Sequence, residues 1–219
     1  MIIGLTGKKR SGKNTCAKFI EDICEENNIT THTMAFADYL KFTLSINWQN
    51  YNGFELTYDD FDGTGIDREY KLDMSQEQFE DYMTRCIRYL KNHGLKGNMP
   101  EIPVINNNEF TIRKFLQTLG TDIVVSMDKM YWVNMVFNYI DKLIPRSHVV
   151  IITDCRQLHE IDTVRNNNGQ IIHIKKNTLT NDSHITEQDL PILEGDIVIE
   201  NNSSLQDFYK KVKYEYSKL

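Results

Sequence analysis

Short runs of apolar residues alternate along this chain with longer segments in which apolar positions recur at helical spacing. The apolar runs have the length of buried strands. They predict five strands, at 1–6, 31–36, 148–153, 170–174 and 196–200. Segments with an apolar helical stripe follow three of these runs, at 13–27, at 156–167 and from Ser203 or Ser204 onward. Strands that alternate with helices predict an α/β fold with a doubly wound, five-stranded parallel sheet.

The middle of the chain has a different pattern, because helical periodicity dominates it. Helices are predicted at 38–46, 75–92, 110–120 and 129–143, and a loop rich in Gly, Asn and Pro at 92–108. No internal repeat is visible. We interpret residues 38–145 as a large helical insertion in a single domain whose core is 1–37 and 146–219.

The charge of the chain is distributed unevenly. The net charge of the 219 residues is −6, but the first 20 residues carry +5 and the other 199 carry −11. An acidic chain of this kind is unsuited to binding nucleic-acid polymers or anionic membranes. No apolar run reaches the roughly 20 residues that span a bilayer, and the four cysteines form no Cys-x-x-Cys pair. We therefore expect a cytoplasmic protein with reduced thiols and with neither a membrane nor a polymer as partner.

The basic start contains a phosphate-binding motif. The segment GKKRSGK, from Gly7 to Lys13, fits G-x-x-x-x-G-K and lies between the first strand and the first helix, as this motif requires. Its glycines let the backbone curl so that several N–H groups face one anion, and the helix N-terminus adds positive potential. The lysine supplies an ammonium for the β- and γ-phosphates. The sequence therefore predicts a P-loop, which binds a polyphosphate.

One position departs from the usual form of this motif. The residue after the lysine is normally Ser or Thr, which holds Mg²⁺, but here it is Asn14, and Thr15 follows it. A Gly-Lys-x-Thr ending is familiar from nucleoside monophosphate kinases. Asn14 and Thr15 are therefore both candidates for holding Mg²⁺, directly or through water.

A second polar element follows the third predicted strand. Asp154 and Arg156 come directly after it, and Glu160 lies one helical turn further on. An acid at the carboxyl end of a central strand lies beside the phosphate loop in this class of fold, where it binds the Mg²⁺ shell or orients an acceptor. The arginine would reach a phosphate oxygen. The alternative is an N-cap aspartate that forms a surface pair with the arginine.

These motifs belong to a larger set of segments that resembles a known family. In sequence and in order, the chain is similar to bacteriophage deoxynucleoside monophosphate kinases of the P-loop nucleoside monophosphate kinase superfamily. The resemblance extends over almost the whole chain. The matching segments are GKKRSGKNT (7–15), GIDRE (65–69), IRKFLQTLGTD (112–122), DKMYWV (128–133), TDCRQLHEID (153–162) and HITEQDLPILEGDIVI (184–199).

The resemblance implies transfer of the γ-phosphate of ATP, with Mg²⁺, to a deoxynucleoside 5′-monophosphate, and it is compatible with a homodimer. It implies an ATP site made of Arg10, Gly12, Lys13, Asn14, Thr15, Cys16, Gln117, Gly120 and Thr121. It implies a monophosphate site made of Lys9, Leu40, Lys41, Arg68, Arg113, Trp132, Asp154, Arg156 and Glu160, with a small gap in the match at Leu40 and Lys41. The residues implied to be catalytic are Arg10, Lys13, Asp154 and Arg156, and those implied to hold Mg²⁺ are Thr15 and Asp154.

Phosphoryl transfer of this kind requires positioning and charge neutralisation, which explains scattered arginines that converge on one site. No strong protein base is expected, because the acceptor phosphate is already ionised at neutral pH. Trp132, next to Tyr131, is suited to stacking on a base, although core packing is an equally good interpretation.

Other interpretations stay open from the residues alone. Another P-loop small-molecule kinase, of the phosphomevalonate or dephospho-coenzyme A type, has a similar phosphate loop, and a non-catalytic nucleotide-binding switch would also keep Lys13. The stretch Asp60-x-Asp62-x-Thr64-Gly65 begins like a calcium loop, but Lys71 occupies the position where a bidentate Glu is needed. We interpret it as a solvated loop. The polar segment 177–195 is a candidate lid.

Overall fold

The chain forms two compact units. The computed structural model describes residues 1–106, 109–177 and 190–219. Met1–Phe36 and Val136–Leu219 form one unit, here called the sheet unit, and Ala37–Met135 form the other, the helical unit. Phe137 belongs to the sheet unit, where its ring stacks on Phe36 at 6.5 Å between centroids.

The sheet unit contains the five parallel strands that the sequence predicts. The strands are β1 (Ile2–Thr6), β2 (Thr31–Met34), β3 (Val149–Ile152), β4 (Gln170–Lys175) and β5 (Ile197–Glu200). Their order across the sheet is β2-β3-β1-β4-β5, and every neighbouring pair is parallel. The central strands β1 and β3 are almost completely buried, which explains their unbroken apolar sequences. The predicted α/β class with a five-stranded parallel sheet is confirmed.

The helices along the chain are α1 (Lys13–Glu26), α2 (Asp38–Asn47), α3 (Tyr58–Asp62), α4 (Gln76–Asn92), α5 (Ile112–Gln117), α6 (Tyr131–Leu143), α7 (Leu158–Asn166) and α8 (Leu205–Tyr216). In the sheet unit, α1 and α8 pack against each other through Phe19, whose ring lies 5.7 Å from Phe208 and 5.1 Å from Tyr209 between centroids. None of the described helices combines the length and the apolar character that crossing a membrane requires.

The helical unit has its own aromatic core. Tyr82 on α4 is fully buried and lies 5.1 Å from Trp48 and 5.6 Å from Phe115 between ring centroids. Its hydroxyl donates to the carbonyl of Leu44 at 2.7 Å, which joins α4 to α2. Burial of such large rings is the main stabilising contribution to a unit of this size.

The predicted helices in this unit are present, with one change of helix type. The segment 110–120 was predicted as a single α-helix, but α5 gives way to a π-helix at Thr118–Val125. A π-helix has wider turns than the 3.6-residue template, so apolar periodicity does not predict it, and such segments are frequent at functional sites. The short helix α3 was also missed, because it contains only five residues.

A buried ionic group stabilises the sheet unit. The Asp196 carboxylate accepts hydrogen bonds from Arg165 Nη2 at 2.5 Å, from His173 Nε2 at 3.0 Å and from the N–H of Leu193 at 2.9 Å. Burial alone would raise the pKa of Asp196, but these hydrogen bonds outweigh burial and lower it. Burial lowers the pKa of His173, in opposition to its carboxylate neighbour.

We expect this histidine to make stability depend on pH. Between the usual histidine pKa of about 6.5 and the lowered one, the unfolded chain binds a proton that the folded chain does not. The free energy of unfolding therefore falls as the pH drops from about 7 towards the lowered pKa of His173, by at most about 1.4 kcal/mol per pH unit. His173→Gln is expected to have a smaller slope, measured by urea unfolding at several pH values. The account is wrong if His173→Gln keeps the wild-type slope while His93→Gln, at an exposed position, changes it.

Candidate active site

The phosphate loop connects β1 to α1 in a strained backbone conformation. Its φ angles are 148° at Gly7, 62° at Arg10 and 106° at Gly12. A Cβ on Gly12 would lie 2.4 Å from the side-chain nitrogen of Asn201, so glycine is required there for space as well as for conformation. Positive φ at an arginine is uncommon and is typical of functional loops. Arg10 is exposed and Lys9 is half-buried.

The start of α1 is built to receive an anion. The N-cap is Gly12, a residue with no side chain that could cap the helix, and the first turn contains no acid. The first backbone N–H groups of an α-helix have no intrahelical acceptor, and the helix dipole makes this end positive. Asn14 is exposed and Thr15 half-buried in this turn. The predicted contribution of Cys16 has less support, because its N–H donates to the carbonyl of Gly12 at 2.9 Å and its thiol is buried.

Lys13 closes the loop. Its side chain runs back from the helix start, and Nζ donates to the carbonyl of Gly7 at 2.5 Å and to that of Lys8 at 2.9 Å. The residue is only 9% exposed. The ammonium is therefore held at the mouth of the loop, where the motif predicts it.

Asn201, which follows β5, supports this loop and was not predicted as a site residue. Its side-chain nitrogen donates to the carbonyl of Ser11 at 2.8 Å, and its backbone N–H donates to the carbonyl of Lys175 at 2.7 Å. The residue thus joins the end of the sheet to the middle of the phosphate loop. Asn201 lies 190 residues from Ser11 along the chain, so no local sequence pattern could predict this contact.

The turn after β3 brings Asp154 to the same edge of the sheet. Asp154 Oδ1 accepts the N–H of Phe36 at 2.7 Å, and the N–H of Cys155 donates to the carbonyl of Leu5 at 3.1 Å, just before the phosphate loop. Burial raises the pKa of Cys155 well above its usual value, and the nearby positive charge of Lys13 acts against that shift. The structure therefore places Asp154 close to the loop, as predicted from the parallel strands.

The side chain of Glu160 stabilises this turn by accepting hydrogen bonds from the backbone of the turn. One carboxyl oxygen, Oε2, accepts the N–H of Arg156 at 2.6 Å and that of Gln157 at 2.9 Å. Glu160 is 6% exposed, and burial, reinforced by Asp154, raises its pKa to about 8. The sequence predicted Glu160 as part of the monophosphate site, and that stays a prediction. In the structure this carboxyl group holds the backbone that presents Arg156, which is half-buried.

Three predicted cations lie together in the helical unit. Lys41 Nζ is 2.9 Å from the carboxylates of both Asp38 and Asp62, and its side chain is 12% exposed. Arg68 donates through Nη2 to the carbonyl of Asp62. The N–H of Arg113 donates to the carbonyl of Arg68 at 3.0 Å. We call Lys41, Arg68 and Arg113 the cation cluster.

The cluster also contains acids that offset its charge. The guanidinium of Arg113 pairs with Glu69, whose side chain is 51% exposed whereas that of Arg113 is 18% exposed. Such exposed carboxylates are held weakly, because solvent screens them. An incoming phosphate group is a stronger partner for arginine, since it offers more oxygens and more charge.

Leu40, Gly120 and Trp132 form a packed group in the helical unit. The indole N–H of Trp132 donates to the carbonyl of Gly120 at 2.9 Å, and a Cβ on Gly120 would lie 2.6 Å from a methyl group of Leu40. Trp132 is 5% exposed, and its ring packs in the core of the helical unit. Its place in the monophosphate site stays a prediction. Gln117 ends α5 and Thr121 lies within the π-helix, and both are half-buried.

The donors near the phosphate loop fit a magnesium ion. Thr15 offers a hydroxyl and Asp154 a carboxylate, which are the hard oxygen ligands that Mg²⁺ takes. Among residues 1–106, 109–177 and 190–219, no three His, Cys, Asp or Glu side chains are grouped to hold a metal. Mg²⁺ usually takes only one or two protein ligands and completes its shell with water and substrate phosphates.

A five-stranded parallel sheet with a Gly-x-x-x-x-Gly-Lys loop between β1 and α1, and an aspartate after the adjacent β3, defines a P-loop nucleotide-binding α/β protein. The chain belongs to the deoxynucleotide monophosphate kinase family, whose sequence profile matches residues 1–212. It is 33% identical over 243 residues to the deoxynucleotide monophosphate kinase of Escherichia phage RB69, a match that covers 97% of this chain and 98% of the relative. It is also 33% identical over 238 residues to that of Enterobacteria phage T4, with 97% of each chain covered. The resemblance noted in the sequence is confirmed.

One matching segment lies partly beyond the described part of the chain. Residues 178–189 are not described. They include the first six of the 16 residues in the 184–199 segment and most of the candidate lid at 177–195.

Proposed function

We propose that this protein is an ATP-dependent deoxynucleoside monophosphate kinase. It transfers the γ-phosphate of ATP to a deoxynucleoside 5′-monophosphate and releases ADP and the deoxynucleoside diphosphate. The observation that carries the proposal is the uncapped start of α1 with Lys13 closing the phosphate loop. Family membership over residues 1–212 favours a nucleotide acceptor over phosphomevalonate or dephospho-coenzyme A, and catalysis over a switch.

The phosphate loop would hold the donor nucleotide. Backbone N–H groups of Lys13, Asn14 and Thr15 point out of the start of α1, where the β-phosphate of ATP would accept them. The Lys13 ammonium would exchange its carbonyl contacts for phosphate oxygens, which carry a full charge. Arg10, exposed on the same loop, would reach the γ-phosphate and offset charge that develops during transfer.

The cation cluster would hold the acceptor. A nucleoside monophosphate brings about two negative charges, and phosphoryl transfer requires two anions to approach each other. Arg68 and Arg113 supply forked guanidinium groups, which bind phosphate through two parallel hydrogen bonds. Lys41 adds a point charge. Since the acceptor oxygen is already ionised, the protein needs to orient it and to neutralise charge, and no side chain has to remove a proton.

We propose Mg²⁺ as the metal that accompanies ATP, with Thr15 and Asp154 as its protein ligands, directly or through water. When bound, the ion supplies positive charge that neutralises phosphate oxygens and orients them. The carboxylate of Asp154 is held in place by the N–H of Phe36, which donates to Oδ1 at 2.7 Å.

We also propose that the helical unit is an insertion within one kinase domain and that the enzyme acts in the cytoplasm of the host. The charge distribution supports free nucleotides as partners, since +5 is concentrated in the first 20 residues and −11 is spread over the other 199. A surface of that sign repels polymeric nucleic acid, while local groups of cations can still bind a small anion.

The experiment that tests the function is an acceptor panel. ADP formation from ATP and Mg²⁺ is measured with each deoxynucleoside monophosphate, each ribonucleoside monophosphate, phosphomevalonate and dephospho-coenzyme A. We expect turnover with one or more deoxynucleoside monophosphates and little with the last two. Hydrolysis of ATP that no acceptor stimulates, or preference for a compound that is not a nucleotide, would overturn the proposal.

A further inference from the structure

The acidic stretch that begins like a calcium loop has a different organisation in the structure. Asp60 is 9% exposed, and its carboxylate faces inward. Oδ2 accepts both the backbone N–H and the hydroxyl of Thr57, each at 2.8 Å, and Oδ1 accepts the N–H of Ile66 at 3.0 Å. One carboxylate therefore ties together the two ends of the loop 57–66.

The neighbourhood of Asp60 is specific for an ionised carboxylate. Burial alone would raise the pKa of Asp60, but the hydrogen bonds from Thr57 and Ile66 lower it. All three partners donate, and an asparagine would turn its own N–H₂ donor towards one set of them. A near-isosteric amide thus keeps the shape and loses the hydrogen bonds on one side of the group.

Gly65 shows how closely the loop is drawn around this carboxylate. A Cβ on Gly65 would lie 2.1 Å from Asp60 Oδ1, well inside van der Waals contact. Its φ angle is not in the left-handed region, so the requirement for glycine comes from the approach of Asp60 and not from backbone conformation.

The loop closed by Asp60 carries the residues that hold the cation cluster. Asp62 lies inside it, with its carboxylate 2.9 Å from Lys41 Nζ and its carbonyl accepting Arg68. Arg68 follows two residues after Ile66, and its carbonyl accepts the N–H of Arg113. A shift at either end of the loop would therefore change the spacing of all three cations.

We propose that Asp60 is a positioning residue for the acceptor monophosphate: it touches no nucleotide and fixes the loop that places Lys41, Arg68 and Arg113. This inference rests on the proposed function, in which the cluster binds the acceptor. Arginine recognises phosphate through a planar fork, so it is sensitive to small displacements. The acidic stretch is thereby a scaffold for a phosphate site and not a calcium site.

The test compares Asp60→Asn with Asp59→Asn, a neighbouring acid that is exposed. We expect Asp60→Asn to raise KM for the best acceptor by about tenfold or more, and to weaken acceptor binding in calorimetry by a similar factor. The KM for ATP stays within about twofold of wild type. Asp59→Asn is expected to behave as wild type in both assays. A role limited to folding would instead lower the active fraction, and with it kcat, while both KM values stayed unchanged.

A second set of variants keeps the test independent of the folding of Asp60→Asn. Gly65→Ala introduces the clash with the carboxylate and is expected to raise the acceptor KM in the same way. In an Asp60→Ala background, most of that clash is gone, so Gly65→Ala is expected to add little further effect. Full additivity of the two changes, or an unchanged acceptor KM in both folded single variants, overturns the proposal. A wild-type protein that phosphorylates no monophosphate would defeat the proposed function instead.

Discussion

Replacing Lys13 with alanine is expected to reduce kcat for phosphoryl transfer by about 10²–10³-fold or more. The ammonium lies at the mouth of the phosphate loop, bonded to the carbonyls of Gly7 and Lys8. The positive charge of Lys13 is needed most while the γ-phosphoryl group is being transferred, because the oxygens of that group then lie close to two other anionic groups. The measurement is steady-state formation of ADP with saturating ATP and acceptor.

The matched control is Lys18→Ala on the same helix. The Lys18 side chain is 64% exposed and pairs with Asp22 at 3.0 Å, where solvent screens the pair, so its loss is expected to have little effect on stability and to leave kcat unaffected. If Lys13→Ala is folded and still turns over at the wild-type rate, the phosphate loop is not the site of the chemistry.

The cation cluster gives the second large effect. Arg68→Ala and Arg113→Ala are each expected to raise KM for the acceptor by about 10–100-fold, the equivalent of about 1.5–3 kcal/mol for a hydrogen bond to a charged group. The KM for ATP is expected to change much less. Initial rates over a grid of ATP and acceptor concentrations separate the two constants.

Arg88→Ala serves as the control, because Arg88 is exposed on α4 in the same helical unit. The double variant of Arg68 and Arg113 is expected to fall short of the sum of the single effects, since both cations share one phosphate. Equal increases in the KM of ATP and of the acceptor would show that the cluster does not discriminate between them, and the assignment of the acceptor site would be wrong.

The phosphate loop could be predicted from the sequence because its parts are contiguous. Seven consecutive residues, GKKRSGK, carry the glycines, the helix start and Lys13, and the apolar strand before them fixes their place in the fold. The approach of Asp154 to this loop was also predictable, since parallel strands end at one edge of a sheet. Both predictions depend on regular strands and helices, which can be recognised from the spacing of apolar residues in the sequence.

The cation cluster was predicted through resemblance, since Arg68 and Arg113 taken alone have the pattern of surface residues. Its scaffold was not predicted. Asp60 was interpreted as part of a solvated loop, whereas it is 9% exposed and bonded to both Thr57 and Ile66. Hydrogen bonds between a side chain and nearby backbone have no period, so a pattern of apolar and polar positions does not reveal them.

The roles of Glu160 and Trp132 show a second limit. Both were predicted as members of the monophosphate site, which stays a prediction. In the structure both are buried, with the carboxyl group of Glu160 accepting backbone N–H groups and the indole N–H of Trp132 donating to the carbonyl of Gly120. Resemblance identifies positions that matter but does not distinguish a ligand from the residue that supports it. That distinction depends on burial, which is a property of the folded chain.

The central claim is that the γ-phosphate moves from ATP to a deoxynucleoside monophosphate. The most direct test follows the label from γ-³²P-labelled ATP, incubated with Mg²⁺, each deoxynucleoside monophosphate and either wild type or Lys13→Ala. We expect wild type to place the label in a deoxynucleoside diphosphate in step with ADP release, and Lys13→Ala to transfer almost none. Label that appears only as inorganic phosphate, or that stays in ATP with every acceptor, would contradict the account.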